Sequence, residues 1–114
     1  MFLRIWKFRV RPGKIDDFEA AYGPGGPWTR LFERVTGYCG TELLTAARDP
    51  NTYFTLDWWE SPEAWAAFLR AWGEDYATLD HRCESLSASE MEIGEFQGLA
   101  VSDSASRKLR NVIE

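Results

Sequence analysis

The stretch "YFTLDWWESPEAWAAFLRAW", residues 53–72, holds four of the chain's six tryptophans and changes its periodicity half-way along. From Tyr53 to Glu60 it is a run of aromatic and apolar residues that alternate across two faces, the pattern of a strand. Ser61 supplies a helix cap and Pro62 the first helical position, where proline's missing amide proton would have gone unpaired anyway. Beyond it Trp65, Phe68, Leu69 and Trp72 fall at i, i+3, i+4 and i+7, and Tyr76 and Leu79 extend the stripe past Gly73. A stripe of this kind packs on a sheet, so Trp65 and Trp72 are expected in the core.

Alternation splits the strand into two sets: Phe54, Leu56 and Trp58 on one face, Tyr53, Thr55, Asp57 and Trp59 on the other. The first set suits the helix-covered side. The second would then face away from the helices, beside Leu43 or Leu44 of the neighbouring strand. An aromatic side chain buries roughly 150–250 Å², so leaving Tyr53 and Trp59 wet forgoes several kcal/mol at about 25 cal/mol per Å². A second copy of the same sheet is the simplest cover. The expectation is a homodimer with sheets facing each other around a cavity, Trp58 in the core and Trp59 in the cavity wall.

Working outward, "FLRIWKFRV" at 2–10 reads as a strand stopped by Pro12 and Gly13. "KIDDFEAAY" at 14–22 places Ile15, Phe18 and Tyr22 at helical spacing, with carboxylates in the first turns where a helix dipole favours them. "GPGGP" at 23–27 breaks that helix, and "WTRLFERV" at 28–35 resumes the pattern. Such a break beside aromatic residues is a candidate cavity mouth as well as a plain connection. "GTELLTAAR" at 40–48 and "YFTLDWWE" at 53–60 form a hairpin, its turn assigned to "DPNT" at 49–52. A last strand, "SASEMEIGEF", covers 87–96, and residues 99–114 form a tail, weakly helical or disordered, with a small basic patch. Residues 1–98 are thus one domain of order βαββαβ: a ferredoxin-like α+β fold, a four-stranded antiparallel sheet with its helices on one face.

With 114 residues the chain is one domain that buries roughly two thirds of its unfolded surface. Its 15% aromatic content exceeds what such a core needs. A net charge of -5 disfavours nucleic acid or an anionic membrane as partner. Cys39 and Cys83 form neither a disulfide framework nor a metal motif, no stretch approaches the ~20 apolar residues of a membrane span, and a cytoplasmic protein is expected. Nucleotide, phosphoryl and serine-hydrolase motifs do not occur.

With "FRVRPGKIDDFEAAY" at 8–22, "GYCGTELL" at 37–44, "YFTLDWWESPEAWAAF" at 53–68 and "EIGEF" at 92–96, the chain resembles the antibiotic biosynthesis monooxygenase-like family over roughly residues 2–97. The resemblance implies a dimeric α+β barrel. Members of that superfamily include cofactor-free oxygenases of aromatic polyketides, haem-degrading oxygenases, isomerases, and proteins with no established reaction. The haem-degrading branch has an asparagine on its first strand and a tryptophan in the helix after strand three. Here strand one has no asparagine and Phe68 stands at the tryptophan's place, although His81 lies near the helix end, where that branch has its iron ligand.

A cofactor-free oxygenase needs a base for a phenol proton and an apolar pocket that excludes water. Strand alternation nominates Asp57 and Trp59, then Tyr53; Tyr22, Trp28 and His81 could reach in from helix ends and loops. His81 and Asp57 are the catalytic candidates, His81 because its ordinary pKa lies near neutrality. Trp59, Tyr53, Tyr22 and Trp28 are the candidates for holding a small aromatic or apolar ligand. Each has a plainer reading: His81 as a surface residue, Asp57 as the ion-pair partner of Arg4 or Arg9. Two functions follow: a small monooxygenase that needs no cofactor or metal, acting on an electron-rich aromatic ring, or a non-catalytic dimer that binds a metabolite or scaffolds a partner.

Overall fold

The computed structural model describes residues 1–102. Its elements are β1 (Phe2–Val10), α1 (Ile15–Tyr22), α2 (Pro27–Phe32), β2 (Tyr38–Ala46), β3 (Asp49–Trp59), α3 (Pro62–Cys83), a short 3-10 turn at Glu84–Leu86, and β4 (Ser87–Gln97). The strands pair antiparallel in the order β2-β3-β1-β4, and the helices cover one face, which is the ferredoxin-like arrangement expected. The expected tail lies, from residue 103 onward, outside the described residues.

The hairpin turns earlier than "DPNT". Residues 47–48 make the turn, and the ladder then jumps from Ala46↔Asp49 to Thr45↔Tyr53. Residues 50–52 are therefore a bulge within β3, held by Asp49: its carboxylate accepts from Thr52 Oγ1 at 2.7 Å and from Arg9 at 2.9 Å. Asp and Pro are turn formers in isolation, but here the aspartate's local hydrogen bonds stabilise a bulge instead.

The faces of β3 are the reverse of those expected. Tyr53, Thr55, Asp57 and Trp59 lie buried beneath the helices, with Trp59 0% exposed, while Phe54, Leu56 and Trp58 are only partly buried on the open face. Trp59 rather than Trp58 is the core tryptophan, packed edge-on against Trp65 at 5.1 Å and tilted against Phe68 at 5.4 Å. The strand period is two, so a one-residue change of phase swaps every side chain. Both phases of β3 carry large apolar groups, and the buried phase includes Thr55 and Asp57, whose polarity points the wrong way when hydropathy alone is read. The open face is nonetheless apolar: the register sets Leu3 between Trp58 and Phe96, and Ile5 between Leu56 and Gly94.

The aromatic excess forms a continuous network under the helices. It runs from Phe8 to Phe18 (5.2 Å between centroids), Tyr22 (4.3 Å from Phe18), Trp28 (5.8 Å), Phe32 (5.8 Å) and Trp59 (5.4 Å). Ser61 caps α3 as expected, its Oγ accepting from the Ala64 amide at 3.1 Å. The helix is kinked at Trp72 (φ -129°, ψ 19°), so the stripe is not straight: Leu69 is exposed, and Trp72 is only partly buried, with the Arg34 guanidinium 4.6 Å from its ring. Gly37 is fixed by contact, since a Cβ there would come within 2.6 Å of the Ala64 Cβ. Gly26 does the same work at the α1–α2 corner, where a side chain would run into the carbonyls of Ala20 and Ala21.

Candidate functional site

Along the helix-covered face of the sheet, one row of cross-strand neighbours reads Thr41–Asp57–Arg4–Glu95 over β2, β3, β1 and β4. The next rows add Thr55 beside Trp6, and Phe8 beside Glu90. The short threonines leave depth above the floor, and a cavity of about 300 Å³ opens there. Tyr22 of α1, Trp28 and Phe32 of α2, and Tyr76 and Asp80 of α3 form its roof and rim. The break at 23–27 sets α1 and α2 as separate pieces, so that aromatic side chains from both reach the same space.

Asp57 is the chemically distinctive residue. It is 7% exposed, and burial pushes its carboxyl up to about 6, against the opposing pull of the Thr41 hydrogen bond and the Arg4 charge. Thr41 Oγ1 donates to Asp57 Oδ1 at 2.7 Å, and Thr41 Oγ1 is itself in hydrogen-bond contact with the Tyr38 hydroxyl. A hydroxyl has one proton to give. With Thr41's spent on Asp57, Tyr38 is the donor to Thr41, and a Tyr38→Thr41→Asp57 chain results. Burial raises the Tyr38 and Tyr22 phenols well above their ordinary value, which keeps both neutral.

Arg4 supplies the cavity's cation. Its Nε donates to Glu95 at 3.1 Å and its guanidinium lies 3.8 Å from the Trp65 ring centre. Among the described residues no ion pair joins Arg4 to Asp57, and Arg9 pairs with Asp49 instead. The structural pairing considered for Asp57 is thus replaced by a threonine hydrogen bond. At the rim Asp80 and Glu90 are both exposed, and burial, Asp80 and Glu84 raise the Glu90 carboxyl.

Of the six residues nominated from sequence, the fold brings Asp57, Tyr22 and Trp28 to the cavity. Trp59 is enclosed among Phe32, Trp65 and Phe68, and Tyr53 packs on Phe18 with its hydroxyl donating to the Glu19 carboxylate. The His81 side chain is 81% exposed at the end of α3, 3.4 Å from Glu84, and does not line the cavity. Missed were Arg4, Trp6, Thr41 and Tyr76. A usable signal existed for Arg4: it shares its strand face with Phe2, Phe8 and Val10, and a charge in an apolar set marks either an ion pair or a site.

The sequence profile of the antibiotic biosynthesis monooxygenase family matches residues 1–72. The chain belongs to that family. Solved structures of antibiotic biosynthesis monooxygenase fold superimpose on it. One is a mutant of SnoaB, a cofactor-independent oxygenase from Streptomyces nogalater (TM-score 0.74, 19% identity, 90% of this chain and 96% of that one). Another is a mutant of MhuD with two manganese protoporphyrin IX molecules bound per active site (TM-score 0.67, 23% identity, 90% and 99%). A third is a protein from Pseudomonas aeruginosa (TM-score 0.63, 15% identity, 87% and 94%). At these identities the likeness is one of fold. Among curated proteins none matches.

The cavity's residues do not fit a porphyrin. No histidine lines it to ligate an iron, and the carboxylates of Asp80 and Glu90 give its rim the same charge as a porphyrin's propionates. Among the described residues no group of three or more His, Cys, Asp or Glu side chains is placed to hold a metal ion, and no helix is long and apolar enough to cross a membrane.

Proposed function

We propose that the chain is a cofactor-independent monooxygenase of small, electron-rich aromatic rings, working in the cavity between the sheet and its helices. The observation that carries this reading is Asp57: a buried carboxyl with a raised pKa, at the floor of a space walled by Trp6, Phe8, Trp28 and Phe32. A general base works best when its pKa lies near the operating pH, and a value of about 6 leaves Asp57 ionised at neutrality yet able to hold a proton.

In this reading the aromatic walls bind the ring by stacking and keep water out. Asp57 Oδ2 takes the proton of a phenol or enol while Oδ1 keeps its Thr41 hydrogen bond. The resulting oxyanion raises the ring's electron density, which passes to dioxygen. A ring CH₂ flanked by aromatic rings then becomes C=O. It loses two hydrogens and gains one oxygen atom, the second oxygen leaves with those hydrogens as water, and no external reductant is required. Tyr22 and Trp28 keep the ligand-holding role expected of them. Asp57 takes the base's role, because His81 lies outside the cavity.

The working unit in this proposal is a homodimer, formed through the open sheet face and acting in the cytoplasm, where Cys39 and Cys83 stay as free thiols. The alternative, a binding or scaffold dimer without catalysis, shares the cavity but has no use for a tuned carboxylate. Oxygen uptake measured with a panel of polycyclic phenols separates them. Uptake that is saturable, and abolished by Asp57→Asn, is the expected result. Saturable quenching of tryptophan fluorescence without uptake would sink the oxygenase reading and leave the binding one.

A further inference from the structure

Arg4 is 7% exposed and held from two sides, by the Glu95 carboxylate at its Nε and by the Trp65 ring beneath its plane. It faces the cavity directly across the β1–β3 ladder from Asp57. A guanidinium has five N–H donors in a planar fork; the Glu95 contact uses the Nε–H, the Tyr76 hydroxyl in the same cavity is a further partner of the fork, and donors remain for a ligand. The side chain is therefore a fixed cation at the place where the proposed reaction would create an oxyanion.

We propose that Arg4 stabilises the oxyanion formed when Asp57 takes the substrate's proton, and that the site selects neutral phenols or enols against carboxylates. The inference rests on the oxygenase reading of the cavity and names the substrate's reacting group. The charge count decides the selectivity. Among the described residues the cavity lining holds one cation, Arg4, against the carboxylates of Asp57 on the floor and of Asp80 and Glu90 at the rim, with Glu95 behind the guanidinium. A carboxylate ligand adds a further negative charge to a space where negative groups already outnumber the cation. A phenol enters neutral, its O–H bond breaks, the proton goes to Asp57 Oδ2, and the negative charge moves to the substrate oxygen beside Arg4. The net charge of the floor does not change, and the new anion gains charge-assisted hydrogen bonds from the guanidinium. Arg4 touches the substrate's reacting oxygen in this scheme and is a catalytic residue. Glu95 is a positioning residue that aims the guanidinium and draws off part of its charge.

The test uses 6-cyano-2-naphthol, whose phenolate absorbs at longer wavelength than the phenol, with its methyl ether and 6-cyano-2-naphthoate as size-matched controls. Binding is followed by calorimetry and the phenolate band by absorbance at pH 7. Wild-type protein is expected to bind the naphthol about tenfold more tightly than either control and to show a phenolate band that the free probe lacks. Arg4→Gln should lose the band and the preference for the naphthol. Arg4→Lys should keep part of both, since the charge stays and the fork is lost. Glu95→Gln, at a half-exposed position outside the cavity lining, should strengthen the band, an opposite change that loss of folding cannot imitate. A band of equal strength in wild type and Arg4→Gln, or tighter binding of the naphthoate than of the naphthol, would overturn the role given to Arg4 while leaving the cavity reading standing. Failure of all three probes to bind wild-type protein would overturn the cavity reading and this inference with it.

Discussion

Thr41 and Asp57 face each other across the β2–β3 ladder, and the threonine hydroxyl donates to the buried carboxylate at 2.7 Å. One hydrogen bond of this kind does not offset the loss of water around a carboxylate, so the acid's pKa stays raised. The group is left under-solvated at the floor of a cavity, at a cost in stability.

That cost has a sign and a pH window. The folded carboxyl titrates at about 6 against an ordinary value of 3.8, so between those values the native state binds more protons than the unfolded chain, and stability falls as pH rises. Below about pH 4 the penalty is absent; above about pH 6 it is complete. Asp57→Asn removes the titration and keeps an oxygen for Thr41 to donate to. It should therefore stabilise the protein at pH 7–8 by on the order of 2 to 3 kcal/mol and leave stability near pH 4 almost unchanged. Urea titrations of both proteins at the two pH values check this. Equal stability at pH 8 would mean that Asp57 carries no burial penalty.

Catalysis gives the same ionisation an opposite reading. With Asp57 as base, kcat/KM on a phenolic substrate should fall as pH drops through about 6. Thr41→Val keeps the threonine's shape but withdraws the hydrogen bond that favours the charged form. The Asp57 pKa should rise further, and the acid limb of the profile should move to higher pH. The variant should also lose about 1 to 3 kcal/mol, because the Tyr38 hydroxyl is left without its acceptor. An inflection at the same pH in wild type and Thr41→Val would assign the titration to another group.

The order of elements was legible because each boundary has its own chemistry. Pro12 and Gly13 end β1, Ser61 and Pro62 open α3, and the carboxylates of α1 sit in its first turn. The phase of β3 was not legible, because Trp58 and Trp59 compete for the core with side chains of equal hydrophobicity. The site suffers from the same difficulty. Thr55 and Asp57 look solvent-facing in a strand pattern, yet both are buried in the lining of a cavity, where polar side chains stand on the core face of the strand. His81 drew attention through its ordinary pKa, a property of the residue type that says nothing about which way the helix end points.

The swap of phases makes a paired prediction. Trp59 is 0% exposed and in contact with four rings, so Trp59→Ala should cost about 3 to 5 kcal/mol in a urea titration. Trp58→Ala, on the open face, should cost markedly less at high dilution, where protein copies do not associate. Equal losses would argue that Trp58 is as central to the core as Trp59.

The open face itself carries the last prediction. Leu3, Ile5, Leu56 and Trp58 form its centre, and Leu44, Met91 and Phe96 on the flanking strands are exposed. Apolar surface of this extent on a sheet is stabilised by covering it, and a twofold-related copy offers a self-complementary cover that uses the same residues twice. In such an arrangement Ile5 lies near the symmetry axis, because β1 is an inner strand of the sheet. Ile5→Lys would then bring two ammonium groups together in a desolvated contact, a cost that a monomer avoids by leaving the lysine in water. Sedimentation velocity at micromolar concentration should show a dimer for wild type and a monomer for Ile5→Lys, with the far-ultraviolet circular dichroism of the two the same. A wild-type monomer, or a variant that stays dimeric, would show that this face is covered by something other than a second copy.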